Sequence, residues 1–204
     1  MDTLANTHRR KEKVYLGYAG RRAAADHATP AAPAAEGEIF ITHDGVRLLL
    51  RDIHPGDFEA LQRGFAGLTA QEIRYRFLHP ITELPEALAR RLCDIEGENA
   101  VALVLIDPPG AKDPEIHAVA RAFIDPVTLS AEFALVVQHQ LAGHGVGTLL
   151  MQRLMAACRA LGATELWGDV LSENGTMLEL CEHLGFSRRA AFDDPGMIRV
   201  TKPL

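Results

Sequence analysis

The feature that most constrains this chain is the junction from Val137 to Thr148, where an apolar run gives way to Gly143-His144-Gly145-Val146-Gly147 and then to a periodic stretch. Past the loop, Val146, Leu149, Leu150, Leu154, Ala157, Cys158 and Leu161 recur at helical spacing, and Gly162 ends the run. Alternating glycines remove side chains where the first helical turn begins. The unpaired N–H groups of that turn then face outward, with the positive end of the helix dipole behind them. This arrangement suits an anionic phosphate, and three alternating glycines are more than a tight packing turn needs.

Two familiar phosphate loops fit poorly. A dinucleotide-binding loop reads G-x-G-x-x-G with an acidic residue about 20 positions on. Glu165 lies at a suitable distance, but the spacing here is G-x-G-x-G. That fold also needs parallel βαβ units. The strands before this loop are joined by turns too short for crossovers. A P-loop is excluded because no Gly-Lys-Ser/Thr follows.

Those strands follow from punctuation and pattern. Ala100 to Ile106 is almost wholly apolar and ends at Asp107-Pro108-Pro109-Gly110. Ile116 to Ile124 is closed by Asp125-Pro126, and Ala131 to Val137 leads into the loop. Upstream, Val46 to Arg51 reads as a strand. Asp57 to Phe65, Thr69 to Leu78 and Leu84 to Leu92 read as short helices, the second opened by a Thr69/Glu72 capping box. Downstream come a strand over Leu166 to Leu171 and a helix over Thr176 to Leu184, with Thr176 and Glu179 at capping-box spacing. A final strand spans Ile198 to Lys202. The order predicts a mixed α/β (α+β) domain built on one sheet.

Composition sets the outer limits. Residues 1–37 read as a basic, Ala/Pro-rich flexible arm and residues 38–204 as the folded domain. Within the arm, His8 to Arg22 carries Arg9, Arg10, Lys11, Lys13, Arg21 and Arg22 against Glu12, yet the whole chain has a net charge of −6, which argues against nucleic acid as the partner. No apolar run reaches the ~20 residues of a membrane span, and the N-terminus has no signal-like stretch. A cytoplasmic protein is expected. The three cysteines, Cys93, Cys158 and Cys181, have no C-x-x-C spacing, and His117, His139, His144 and His183 form no pair at metal-ligand spacing. No metal is therefore expected.

With the loop and its setting in place, the sequence resembles the GNAT superfamily of N-acetyltransferases. That family's loop reads Arg/Gln-x-x-Gly-x-Gly/Ala and binds the pyrophosphate of acetyl-CoA. Gly145 and Gly147 match, while Ala142-Gly143-His144 stands in the stretch that begins with Arg or Gln in the family. A later family pattern, Asn-x-x-Ala-x-x-Leu-Tyr-x-x-x-Gly-Phe, is met by Asn174, Leu180, Gly185 and Phe186, with Met177 in place of Ala and Cys181 in place of Tyr. The likeness runs from about Val46 to Lys202. It is closest to bacterial protein lysine acetyltransferases of the Pat type, through Glu72-Ile73-Arg74-Tyr75-Arg76-Phe77 and Ala131-Glu132-Phe133-Ala134.

The resemblance implies a mostly antiparallel central sheet flanked by helices and splayed at the acyl-CoA site. It implies acetyl-CoA as cosubstrate, held by Val137, Gly143, Gly145, Val146, Gly147, Thr148 and Asn174. It also implies Glu132 as the general base, acting on a protein lysine amine. Strand alternation puts Glu132 on one face with Ala134 and Val136, an apolar setting that raises a carboxylate's pKa and suits a base. Asn174 is read either as a hydrogen-bonding partner of the CoA arm or as a helix cap. Cys181 is read either as a thiol proton donor or as a small core residue. Acetylation of a small amine, such as a polyamine or an aminoglycoside, and non-catalytic acyl-CoA sensing are the alternatives to lysine acetylation.

Overall fold

The computed structural model describes residues 37–78, 81–95, 99–191 and 194–204. The arm expected over 1–37 lies, apart from Gly37, outside the described residues. Strand β1 (Glu38–Ile41) pairs antiparallel with β2 (Arg47–Asp52), and three helices follow: α1 (Phe58–Ala66), α2 (Ala70–Phe77) and α3 (Glu86–Cys93). Next come β3 (Ala100–Ile106), β4 (Ile116–Ile124) and β5 (Ser130–Val137). The chain closes with α4 (Val146–Ala160), β6 (Glu165–Leu171), α5 (Gly175–His183), β7 (Ser187–Ala190) and β8 (Met197–Pro203). All eight strands join one sheet in the order β1-β2-β3-β4-β5-β6-β8-β7. Every pairing is antiparallel except β5 with β6. This is the mixed, mostly antiparallel sheet with flanking helices that the sequence predicts.

Helices cover both faces of the sheet. On one face Leu105, Ala120 and Phe133 pack under Val146, Leu150, Met151, Leu154, Met155 and Cys158 of α4. On the other, Val104, Ile106 and Val119 pack under Leu61, Phe65, Ile73, Phe77 and Leu92 of α1, α2 and α3. Burial on both sides explains why β3 is apolar throughout instead of alternating. Along α4 the buried positions follow helical spacing as expected, but Leu161 lies past the helix end and is exposed. Met151 and Met155, absent from the sequence-derived stripe, are buried in it.

The structure adds two strands to the expected set and moves one helix start. β1 and β7 were not foreseen; both are four residues long and mostly exposed, so neither carries the burial alternation that marks a strand. Helix α5 starts at Gly175, one residue before Thr176, and its cap lies two residues before. The Asn174 side chain accepts the Met177 N–H at 3.2 Å and is the N-cap, so the Thr176/Glu179 box does not open the helix. The α2 box forms as expected, with Glu72 N–H donating to Thr69 Oγ1 at 3.2 Å and Thr69 N–H to Glu72 Oε2 at 2.6 Å.

Helix α1 approaches β4 at Gly64 so closely that a Cβ there would stand 2.0 Å from the Ile116 carbonyl oxygen. Gly64→Ala therefore sets two effects against each other. Better helix propensity contributes about 1 kcal/mol, while overpacking onto a backbone oxygen costs about 1–3 kcal/mol or more. At this separation the helix must lift from the sheet, so a net loss of roughly 2 kcal/mol is expected in urea unfolding. A neutral or stabilised variant would show that α1 backs off freely.

Candidate functional site

The site begins where the sheet comes apart. β5 and β6 pair in parallel only at Ser130↔Glu165, Ala131↔Leu166 and Glu132↔Trp167. Each strand continues, β5 paired with β4 as far as Val137 and β6 paired with β8 as far as Leu171. Past Glu132 and Trp167, no further ladder pair joins β5 to β6 among the described residues. At the point of parting, the Phe133 ring packs onto Gly168, where an added Cβ would meet the ring at 2.8 Å. Phe186 braces that ring edge-on, with the centroids 5.7 Å apart. A V-shaped gap results, closed at Glu132 and open toward the end of β5.

The glycine loop stands at the open end. Gly143 and Gly145 have φ of +77° and +78°, left-handed values that side chains disfavour, and their Cβ positions face empty space. Gly145 is the N-cap of α4, and the first bond of the helix runs from Leu149 N–H to the Gly145 carbonyl. The N–H groups of Val146, Gly147 and Thr148 precede that bond and lie at the positive end of the dipole. No acidic residue occupies the first turn. The Val146 side chain is buried in the core, so only its N–H is offered, and Val137 packs beside the same core. His144 donates from Nδ1 to the Ala142 carbonyl at 3.0 Å and stacks on His43 of the β1–β2 turn at 4.3 Å. Its Nε2 lies 3.5 Å from Asp44, so the hairpin supports the loop from outside.

Walls from other elements complete the gap. Tyr75 and Arg76 of α2, Ala134 and Leu135 of β5, and Asn174 and Met177 around the start of α5 line a cleft of about 330 Å³ with Phe133, Asp169 and Val170. Helix α2 is tied across it. Arg74 pairs with Glu173 at 3.1 Å, and the Tyr75 hydroxyl donates to the Glu173 carbonyl at 3.3 Å. Tyr75 and Arg76 figure in the sequence only through the Pat-like segment. What places them in the site is this tertiary contact, for which local sequence carries no signal.

Glu132 sits at the closed end, 5% exposed, as the last β5 residue paired with β6. It shares its face with cleft-lining Ala134, one step of ~7 Å along the strand. Asp169, the other carboxylate at this end, receives Arg199 Nε on Oδ1 at 2.8 Å and Nη2 on Oδ2 at 2.7 Å. Both of its oxygens are therefore engaged by a cation. Asn174 combines its two readings in part: it caps α5 and lines the cleft. Cys181 lies fully buried in the core, and burial pushes its thiol up to about 12, so it is a packing residue at neutral pH. Among the described residues, no cluster of three or more His, Cys, Asp or Glu forms a metal-binding group, and no helix is long and apolar enough to cross a membrane.

With this geometry established, comparisons with known proteins are informative. Residues 69–186 match the model of the acetyltransferase (GNAT) family, a span that includes the loop, Glu132 and both cleft walls. The fold is similar to the GNAT domain of S. lividans PAT, at 23% identity and a TM-score of 0.73, covering 85% of this chain and 100% of that one. It is also similar to a phosphinothricin acetyltransferase from Sinorhizobium meliloti in complex with AcCoA, at 21% identity and a TM-score of 0.59, covering 77% of this chain and 88% of that one. A cAMP-binding acyltransferase from Mycobacterium smegmatis aligns at 19% identity and a TM-score of 0.55; the match covers 100% of this chain and 52% of that longer one.

A polar network fixes where β5 ends and the loop begins. Gln138 donates from Nε2 to the Gly64 carbonyl at 3.1 Å and to Glu115 at 2.5 Å. Its Oε1 faces His117 Nδ1 at 2.9 Å, and His117 Nε2 faces Asp107 Oδ1 at 2.9 Å. Both imidazole nitrogens thus meet acceptors, a pattern only the charged ring satisfies. Burial alone would lower the His117 pKa, but the hydrogen bonds to Asp107 and Gln138 and the charges of Asp107 and Glu115 outweigh it and raise the value. A raised folded pKa gives stability that is fully present below the unfolded value near 6.5 and is lost as pH rises through the folded one. The stability advantage of wild type over His117→Gln should therefore be largest in mildly acidic buffer and shrink toward alkaline pH. Denaturant unfolding of both proteins across that range measures it. An advantage that grows with pH would refute a charged His117.

Proposed function

The chain belongs to the acetyltransferase (GNAT) family, and from that premise we propose that it transfers the acetyl group of acetyl-CoA to protein lysine amines, with Glu132 as general base. The observation that carries the reading is the V-shaped gap, with an anion-suited helix start at its mouth and a buried carboxylate at its vertex. The two ends suit the two ends of one elongated thioester cosubstrate.

The pyrophosphate of acetyl-CoA is assigned to the N–H groups at Gly143 to Thr148. Replacement of the family's leading Arg/Gln by Ala142 removes a side chain but no backbone donor. Between phosphate and thioester, the pantetheine arm carries two amides. The side of β5 facing the gap has no ladder partner past Glu132, so those amides extend the sheet where β6 departs. The thioester then lies toward the vertex, between Phe133, Ala134 and Asp169.

An incoming lysine has an ordinary pKa near 10.4 and arrives as an ammonium, which cannot attack a carbonyl. Glu132 takes its proton, directly or through one water. The amine nitrogen bonds to the carbonyl carbon, the C–S bond breaks, and the CoA thiolate departs to be protonated. Asp169 is the weaker candidate because Arg199 already engages both of its oxygens. The preference for protein lysine over a polyamine rests on the Pat-like segments around Tyr75 and Glu132.

Glu132→Gln keeps the size of the side chain and loses its basicity. We expect kcat on a lysine peptide to fall by roughly 10²–10³ while the acetyl-CoA Kd is unchanged. Incubation of the wild type with acetyl-CoA and a cell lysate, read by mass spectrometry, should acetylate discrete proteins. Near wild-type kcat in Glu132→Gln would remove the base assignment. Consumption of polyamines or aminoglycosides alone would give the reaction to small amines, and binding without release of CoA would make the protein a sensor.

A further inference from the structure

Behind the cleft, on the face covered by α1, α2 and α3, the sheet bounds a second cavity. It offers about 470 Å³ of empty space, open solvent at its mouth included, and is walled by Leu61, Phe65, Phe77, Leu84, Leu92 and Val119. At its rim stand half-buried Leu68, His117 and Val136. Arg121 of β4 lines this mostly apolar space together with Arg76, His117 and Gln138, and is 9% exposed. Its Nη2 donates to the Leu92 carbonyl at 2.6 Å, but its Nε–H is buried with no hydrogen-bond acceptor. Among the described residues no carboxylate pairs with it. The neighbouring Cys93 thiol offers no negative charge, because burial pushes it up to about 12.

A guanidinium buried in an apolar wall is normally paired. Burial pulls Arg121 down to about 10, and that value still leaves it charged at neutral pH. We propose that this cavity is a binding site for a small aliphatic monocarboxylate, its carboxylate seated on Arg121 and its chain against Leu61, Phe65 and Val119. A guanidinium is a planar donor fork matched to a carboxylate. His117 is already met by Asp107 and Gln138, so the orphaned Arg121 Nε–H is the group that calls for a carboxylate, and the mostly apolar wall calls for an alkyl chain. The site is distinct from the acetyl-CoA cleft but adjoins it. Arg121 is paired across the ladder with cleft-lining Ala134, and Arg76 lines both spaces.

The test uses the purified full chain and 3-methylbutanoate as probe, followed by saturation-transfer NMR titration with and without acetyl-CoA. Saturable binding with a Kd of roughly millimolar order is expected for a ligand of this size, and acetyl-CoA should not displace it. Arg121→Met should weaken binding at least tenfold, and so should replacing the probe by neutral 3-methylbutanamide. Val119→Phe should block the cavity with Arg121 intact, which keeps the test decisive if Arg121→Met fails to fold. No saturable binding by the wild type, equal affinity for acid and amide, or displacement of the probe by acetyl-CoA would each overturn the proposal.

Discussion

The short parallel pairing of β5 with β6 is the constraint on which the rest of the structure depends. Three residue pairs hold the two strands together, and past Glu132, among the described residues, each strand keeps only its outer neighbour. A sheet interior normally satisfies backbone groups on both sides of every strand. Here one side of β5 faces a gap while its residues Phe133 and Ala134 remain buried. Phe133, seated on Gly168 and braced by Phe186, fills the space at the parting point. The fold thus creates an unpaired edge inside a protected cleft, the setting in which an extended, amide-bearing ligand replaces a missing strand.

The surrounding elements hold that gap in register. Gln138, pinned by Gly64, Glu115 and His117, sets the end of β5, and the glycine loop follows at once. The His43–His144 stack props the loop from the β1–β2 turn. On the far side, Arg74 and Tyr75 tie α2 to Glu173 and so fix the distance between the cleft walls. Arg76 lines both the cleft and the cavity behind it, so α2, like β5, meets both spaces.

Much of this was legible in the sequence because it rests on local chemistry. Alternating glycines before a helical stripe mark the loop, and two of them do take left-handed φ values. The central strands show as apolar runs because both sheet faces are covered. What was illegible depends on tertiary packing. The edge strands β1 and β7 are exposed and patternless. Asn174 and Thr176 were both legible as caps, and only the folded geometry decides for Asn174. Tyr75 and Arg76 enter the cleft because α2 folds over a strand more than fifty residues away, which no periodicity records. The Arg121 cavity gives no sequence signal either, since a single arginine in a strand reads as a surface residue until both faces prove to be covered.

The central claim is that the interrupted β5–β6 pairing and the start of α4 form one cosubstrate slot. Amide hydrogen exchange on the full chain, with and without acetyl-CoA, tests it most directly. The account predicts that acetyl-CoA slows exchange at Val146, Gly147 and Thr148 and along Ala134 to Val137, with little change at β1, β7 or α3. Tight binding that leaves those amides unprotected, or that protects a different face of the sheet, would contradict it.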